Sequence, residues 1–277
     1  MISVKSVTFS FGEKPVLNDI NLFCGRGEII GIAGRSGSGK STLLNLLCGY
    51  IPVQAGVIQI DETTPRDAVR NKKVSYVFQN PTLLPWQKIK DNTLLPLRLG
   101  KKNYSPLRLK KKKSIFSLLK EFILKRHREK IGQLSAAERA MKLSHITEAA
   151  HLFPDELSGG MQTRASIARS LVYDPSVLLL DEPFSALDDI VKEQIYGDLQ
   201  KVLKTLNSAT VLVTHNLAEA VLLCDRVYVL NSVHQDSSSG NTITHCEVIS
   251  LNRPRTLDLL EKPEFLLALK TIREKLQ

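Results

Sequence analysis

The stretch GRSGSGKST, Gly34 to Thr42, limits what this chain can fold into more than any other part of it. The apolar run EIIGIA ends just before it, and the helix-forming STLLNLLCG continues from its end. Gly34, Gly39, Lys40 and Ser41 match the spacing G-x-x-x-x-G-K-[ST], in which glycines let backbone N–H groups turn inward around phosphate oxygens. The helix start adds its unpaired amides and its dipole. Lys40 supplies a mobile positive charge for the β- and γ-phosphates, and Ser41 a hydroxyl for Mg2+. With Arg35, Ser36, Gly37, Ser38 and Thr42 completing the loop, the segment reads as a nucleoside-triphosphate site.

A loop of this kind needs a strand to deliver it, and the chain supplies the sheet. Apolar runs recur at VSYVF (74–78), SVLLLDEP (176–183), ATVLVTH (209–215) and RVYVL (226–230), with helix-length stretches such as Ser41–Leu47 and Lys192–Leu206 between several of them. Continuous apolar strands alternating with helices predict a mostly parallel sheet covered on both faces. The first sixty residues differ. ISVKSVTFSF and GVIQID alternate in polarity, which predicts an antiparallel sheet at one edge. Residues from about 92 to 170 read as helical. ITHCEVISL reads as a last strand after the serine-rich loop at 237–240, and a helix from about Pro263 to Leu276 follows. The expected class is therefore α/β, a P-loop core with an N-terminal antiparallel part and a helical part.

Within LLLDEP, an apolar strand places Asp181 at its C-terminal end, where a carboxylate can hold Mg2+ through its water shell. Glu182, one residue on, is suited to orient or deprotonate an attacking water.

A net charge of +10 in 277 residues suggests an anionic partner until its distribution is considered. Thirteen basic residues against two acidic ones lie between Arg98 and Lys130, including the run Lys110 to Lys113, so the rest of the chain is close to neutral. Basicity confined to one segment weakens a protein-wide nucleic-acid reading. Cys24, Cys48, Cys224 and Cys246 are far apart without C-x-x-C pairing, and read as small buried thiols of a reducing compartment. The N-terminus lacks a signal-peptide core, and no apolar run approaches the roughly 18 residues of a membrane span. The chain is expected to be cytoplasmic, with any membrane role coming through a partner or its surface.

Between the phosphate loop and LLLDEP stands LSGGMQTR, Leu157 to Arg164, and with it the chain resembles the ATP-binding cassette (ABC) family over nearly its whole length. Gly34–Thr42 resembles the Walker A loop, Gln79 in VFQNP the Q-loop glutamine, and Val177–Glu182 the Walker B strand. Leu157, Ser158, Gly159, Gly160 and Met161 look like the signature motif. Ser185, Ala186, Leu187 and Asp188 are similar to the D-loop, and His215 in VTHN to the switch histidine. The resemblance implies a head-to-tail homodimer sandwiching two ATP molecules, each touching the Walker loop of one subunit and the signature residues of the other. It implies that Glu182, His215 and Gln79 act on the γ-phosphate and water, that Ser41, Gln79 and Asp181 serve Mg2+, and that Phe11 stacks on adenine. Phe11 stands where Tyr is usual, Thr163 replaces a long polar residue, and Asn216 follows the histidine where Asp is common.

Within the family, TLLPW (82–86) and the C-terminal LNRPRTLDLLEKPEFLLALKTIREKL resemble the ATPase subunits of nitrate, sulfonate and taurine importers. The resemblance implies integral-membrane permease subunits and, indirectly, a solute-binding protein, with Trp86 at the permease contact and the chain peripheral at the cytoplasmic face of the cell (inner) membrane. An ABC exporter ATPase, and a non-transport ABC ATPase acting on nucleic acid or the ribosome, are the alternatives. The expected organisation is an ATPase domain over 1–231, with a helical subdomain at about 88–172, and a C-terminal strand and helix over 232–277. A basic insertion occupies about 100–127. Its Ile115, Leu118, Leu119, Phe122 and Ile123 share a helical face, which suits a packed helix behind a solvated basic loop, or contact with anionic lipid headgroups or permease loops beside the membrane. Nucleic acid is not expected as a partner.

Overall fold

The computed structural model describes residues 1–99, 132, 134–185, 187–232 and 240–276. The basic insertion with its amphipathic face, Ala186, and 237–239 of the serine-rich loop lie outside them. Two units are present, Met1–Thr82 with Asp174–Gln277, and Leu83–Tyr173.

In the first unit, the alternating N-terminus forms β1 (Ile2–Phe11), which pairs antiparallel with β2 (Lys14–Cys24) and with β4 (Ala55–Ile60). The phosphate loop leaves β3 (Ile29–Gly34), whose six residues are all buried, as expected for a strand covered on both faces. Parallel to β3 run β7 (Ala209–Val213) and β8 (Arg226–Ser232), and beyond β7 lie β6 (Val177–Asp181) and β5 (Val74–Val77). The final strand, β9 (Asn241–Val248), is antiparallel to β8 and meets β2 through the single pair Leu17 and Asn241. One nine-stranded sheet results, in the order β4-β1-β2-β9-β8-β3-β7-β6-β5. The N-terminal antiparallel strands thus continue the parallel core.

Helix α1 (Lys40–Leu47) buries Leu43, Leu44, Leu46 and Leu47 completely in the main core. Each such leucine contributes about 1.5–3 kcal/mol of transfer free energy, which fixes the helix start beneath the loop. Short α2 (Pro65–Arg70) is capped by Thr64, whose Oγ1 accepts from Asp67 N. The long α6 (Asp189–Leu206) ends at Asn207 in the left-handed conformation, φ 52°.

After α7 (Leu217–Leu223), the C-terminal segment is pinned by Arg255, only 3% exposed. Its guanidinium donates to the carbonyls of Val221, Cys224, Ile249 and Leu251, and Gln200 brackets its backbone. Burial brings its pKa down to about 10. Arg253 adds an ion pair with Asp225 at 2.8 Å. Helix α8 (Pro263–Leu276) then packs through Phe265 and Ile272, both fully buried.

The second unit contains α3 (Ile89–Leu99), α4 (134–143) and α5 (Gly159–Leu171) around Ile89, Met141, Ile146, Leu157, Ala165 and Ala168. Fully buried Asn92 accepts from Leu84 N at 2.7 Å and donates to the carbonyls of Leu84 and Gln87. That side chain holds the loop presenting Trp86, which is 72% exposed; an ordinary core indole would be covered.

The apolar runs at 176–183 and 209–215 contain strands that end at Asp181, where the sequence places it, and at Val213. The first stops because Glu182 takes φ 43°, which turns the chain out of the sheet. The cysteines are free, but only Cys24 and Cys224 are buried; Cys48 is half-buried and Cys246 is exposed on β9. Among the described residues, no helix is long and apolar enough to cross a membrane.

Candidate nucleotide site

The phosphate loop takes its shape from close approach. A Cβ on Gly34 would stand 2.5 Å from Ser38 Oγ and 2.7 Å from the Leu230 carbonyl, so the strand end admits no side chain there. Gly39 has φ 94° and offers no side chain to cap α1, so the first-turn amides of the helix face the loop. Ser38 is nearly buried and its Oγ has no hydrogen-bond partner. Lys40 Nζ donates to the loop's own carbonyls, Gly34 O at 2.9 Å and Arg35 O at 2.8 Å. Burial lowers the lysine pKa, and the Glu182 and Asp181 carboxylates oppose that shift. A cradle of amides with an unpaired hydroxyl and a buried lysine ammonium suits a multiply charged phosphate chain. Arg35, Ser36 and Gly37 are exposed at the mouth, and Thr42 is half-buried in the first turn of α1. Arg35 Nε also reaches the carbonyl of Leu276 at 3.2 Å.

Beside the loop, Ser41 Oγ lies 3.4 Å from Asp181 Oδ1, while Tyr76 OH donates to Asp181 Oδ2 at 2.9 Å. Burial raises the Asp181 pKa, and hydrogen bonds from Tyr76 and Ser41 work against it. A hydroxyl and an oriented carboxylate are hard oxygen donors of the kind Mg2+ takes when phosphate and water supply the rest. Among the described residues no group of three or more His, Cys, Asp or Glu could hold a metal alone. The donors present therefore fit Mg2+ entering with a nucleotide.

A second cluster forms where β6 and β7 end. Glu182 N donates to Val213 O, and the left-handed turn swings its carboxylate to His215, with Nδ1 2.9 Å from Oε2. The His215 ring is 64% exposed, and Glu182 19%. Gln79 Nε2, one residue beyond exposed Phe78, reaches Glu182 Oε2 at 3.5 Å and Ser185 Oγ at 3.3 Å. Four of the residues singled out in the sequence thus meet: Gln79, Glu182, Ser185 and His215. Leu187 is buried, and Asp188 precedes α6 as its N-cap. Phe11 is 57% exposed and meets Phe9 edge-on at 4.9 Å, leaving its outer face open.

The signature residues belong to the second unit. Ser158 caps α5, its Oγ accepting from Met161 N at 3.4 Å; Gly159 is exposed, while Gly160 and Leu157 are buried. Gln162 Nε2 ties the turn by donating to Pro154 O and Leu157 O.

Sequence reasoning missed Tyr76, whose partner lies 105 residues away, and it missed the buried Glu219 with its partners Thr214 and Tyr196. One signal for Glu219 was available: Asn216-x-x-Glu219 resembles a capping box at a helix start. Asn216 does cap α7, its Oδ1 accepting from Ala218 N and Glu219 N, so Asn serves there as Asp would.

A parallel-sheet fold with a glycine-rich loop at a helix start, and carboxylates at the adjoining strand end, defines a P-loop nucleotide-binding protein. The family model described as "ABC transporter" matches residues 17–185. The chain is 33% identical to the nitrate import ATP-binding protein NrtD of Synechococcus elongatus over 257 residues, covering 92% of this chain and 82% of that one. It is also 33% identical to the taurine import ATP-binding protein TauB of Escherichia coli K12, covering 84% and 80% respectively. The dimeric structure of MJ0796, a bacterial ABC transporter cassette, is similar at 28% identity and TM-score 0.67, covering 91% of this chain and all of that one. The chain belongs to the ABC transporter family, as an ATP-binding ATPase subunit.

Proposed function

We propose that the chain hydrolyses ATP to power import of a small solute through separate membrane permease subunits. The meeting of Gln79, Glu182 and His215 next to the Ser41–Asp181 pair carries this reading, because it gathers water-activating and phosphate-facing groups beside one loop. Similarity to NrtD and TauB supports import, and the dimeric MJ0796 cassette supports a working dimer. The solute is of the nitrate, sulfonate or taurine class, delivered by a solute-binding protein.

In the reaction, the loop amides and Lys40 hold the β- and γ-phosphates, and Phe11 stacks on adenine. Glu182 orients a water and accepts its proton as the water oxygen bonds to the γ-phosphorus. The bond from that phosphorus to the β–γ bridging oxygen breaks, leaving ADP and phosphate. His215 contacts the γ-phosphate, and Gln79 holds the water or metal edge. Ser41, Asp181 and Gln79 would hold Mg2+, which supplies charge neutralisation at the phosphate oxygens. Ser158, Gly159 and Gly160 of a second copy, with Leu157 and Met161 shaping their turn, close over the γ-phosphate, and Ser185 to Asp188 line the dimer contact.

The test is Glu182→Gln. Nucleotide binding should persist and a closed dimer accumulate, with turnover reduced at least about a hundredfold. Near-normal hydrolysis would overturn the assignment.

A further inference from the structure

His215 is largely exposed, so its position depends on the backbone turn that carries it. That turn is tied to the interior through one acid. Glu219 in α7 is 4% exposed, and each of its carboxylate oxygens accepts from a buried hydroxyl: Oε2 from Thr214 at 2.6 Å, and Oε1 from Tyr196 at 2.8 Å. Thr214 immediately precedes His215, and its Oγ1 also accepts from Asn216 N, so the histidine is gripped on both sides. Tyr196 stands on α6, and its ring meets Phe184 edge-on at 5.1 Å. Phe184 is fully buried two residues beyond Glu182. The same tyrosine therefore backs both the turn carrying His215 and the turn carrying Glu182.

Burying a carboxylate that no cation among the described residues neutralises is costly, and the start of α7 offsets only part of that cost. A helix cap alone would be met by an exposed side chain. We propose that Glu219 and Tyr196 are positioning residues that set the contact between His215 and Glu182, and so act on the rate of hydrolysis without touching ATP. The proposal rests on the roles given above to His215 and Glu182.

Tyr196→Phe keeps the ring on Phe184 and removes only the hydroxyl, and Glu219→Gln keeps the shape while replacing one acceptor by a donor. Steady-state ATPase on the full chain should show kcat lowered roughly tenfold in each, with KM for ATP within about twofold, because misplacement near a reacting centre acts on turnover. The His215 imidazole nitrogen resonances, assigned by comparison with His215→Ala, should shift in both variants. A merely structural role would lower the unfolding midpoint and leave kcat per folded molecule and those resonances unchanged; that result overturns the proposal. His215→Ala in parallel separates the two ideas. If it loses turnover while Tyr196→Phe does not, only the brace fails; if it turns over normally, the role of His215 and the brace fall together.

Discussion

At the scale of single residues, the phosphate loop shows how much depends on which groups have no other partner. Lys40 is held by two carbonyls of its own loop and loses solvent, so it is preorganised for phosphate. Lys40→Ala should weaken ATP binding by about 1.5–3 kcal/mol, the range for a hydrogen bond to a charged group, or roughly ten- to a hundredfold. Equilibrium titration with a fluorescent nucleotide checks this, and unchanged affinity would count against the loop as the phosphate site. These residues were legible in the sequence because the loop works through local backbone geometry: Gly34 is crowded by Ser38, four residues on, and Gly39 takes φ 94°. The partner of Asp181 was not legible, since Tyr76 OH meets it only because β5 and β6 are hydrogen-bonded neighbours.

At the scale of elements, helices are located by leucine spacing but oriented by buried polar anchors. Arg255 satisfies four backbone carbonyls at and beyond the end of α7, and thereby joins the C-terminal segment to it. Arg255→Met keeps the length of the side chain and strands those carbonyls. It should lower stability by about 3–5 kcal/mol, since each buried acceptor left unpaired costs about 1–3 kcal/mol and local relaxation recovers part of the sum. Urea unfolding of the two proteins checks the figure, and a loss below about 1 kcal/mol would contradict the anchor. Strand ends behave likewise. The hydrophobic pattern of LLLDEP ends its strand at Asp181, but it is φ 43° at Glu182 that brings the next carboxylate to His215. Apolar patterning reports burial, and it is silent on the dihedral that turns a functional side chain.

At the scale of the whole molecule, buried groups make stability depend on pH. Burial pushes the Cys24 thiol up to about 12, well above the unfolded value of 9.0, and raises Cys224 as well. Between those values the unfolded chain releases a proton that the native chain keeps. The stabilisation is therefore complete below pH 9 and is lost as pH rises toward 12, by about 1.4 kcal/mol per unit for one thiol. Urea unfolding at pH 8, 9.5 and 10.5 should show a fall that is shallower in Cys24→Ala; parallel curves would refute the linkage. The sequence alone determined the family, the order of its motifs and the α/β class, because each motif is a local arrangement of glycine, charge and apolar residues. Tertiary structure decided that β9 joins β2 to β8 in one sheet, that Glu182 meets His215, and that Glu219 and Tyr196 stand behind them. Those contacts join residues distant in the chain, and their geometry follows from strand order and core packing, which no local pattern of residues encodes.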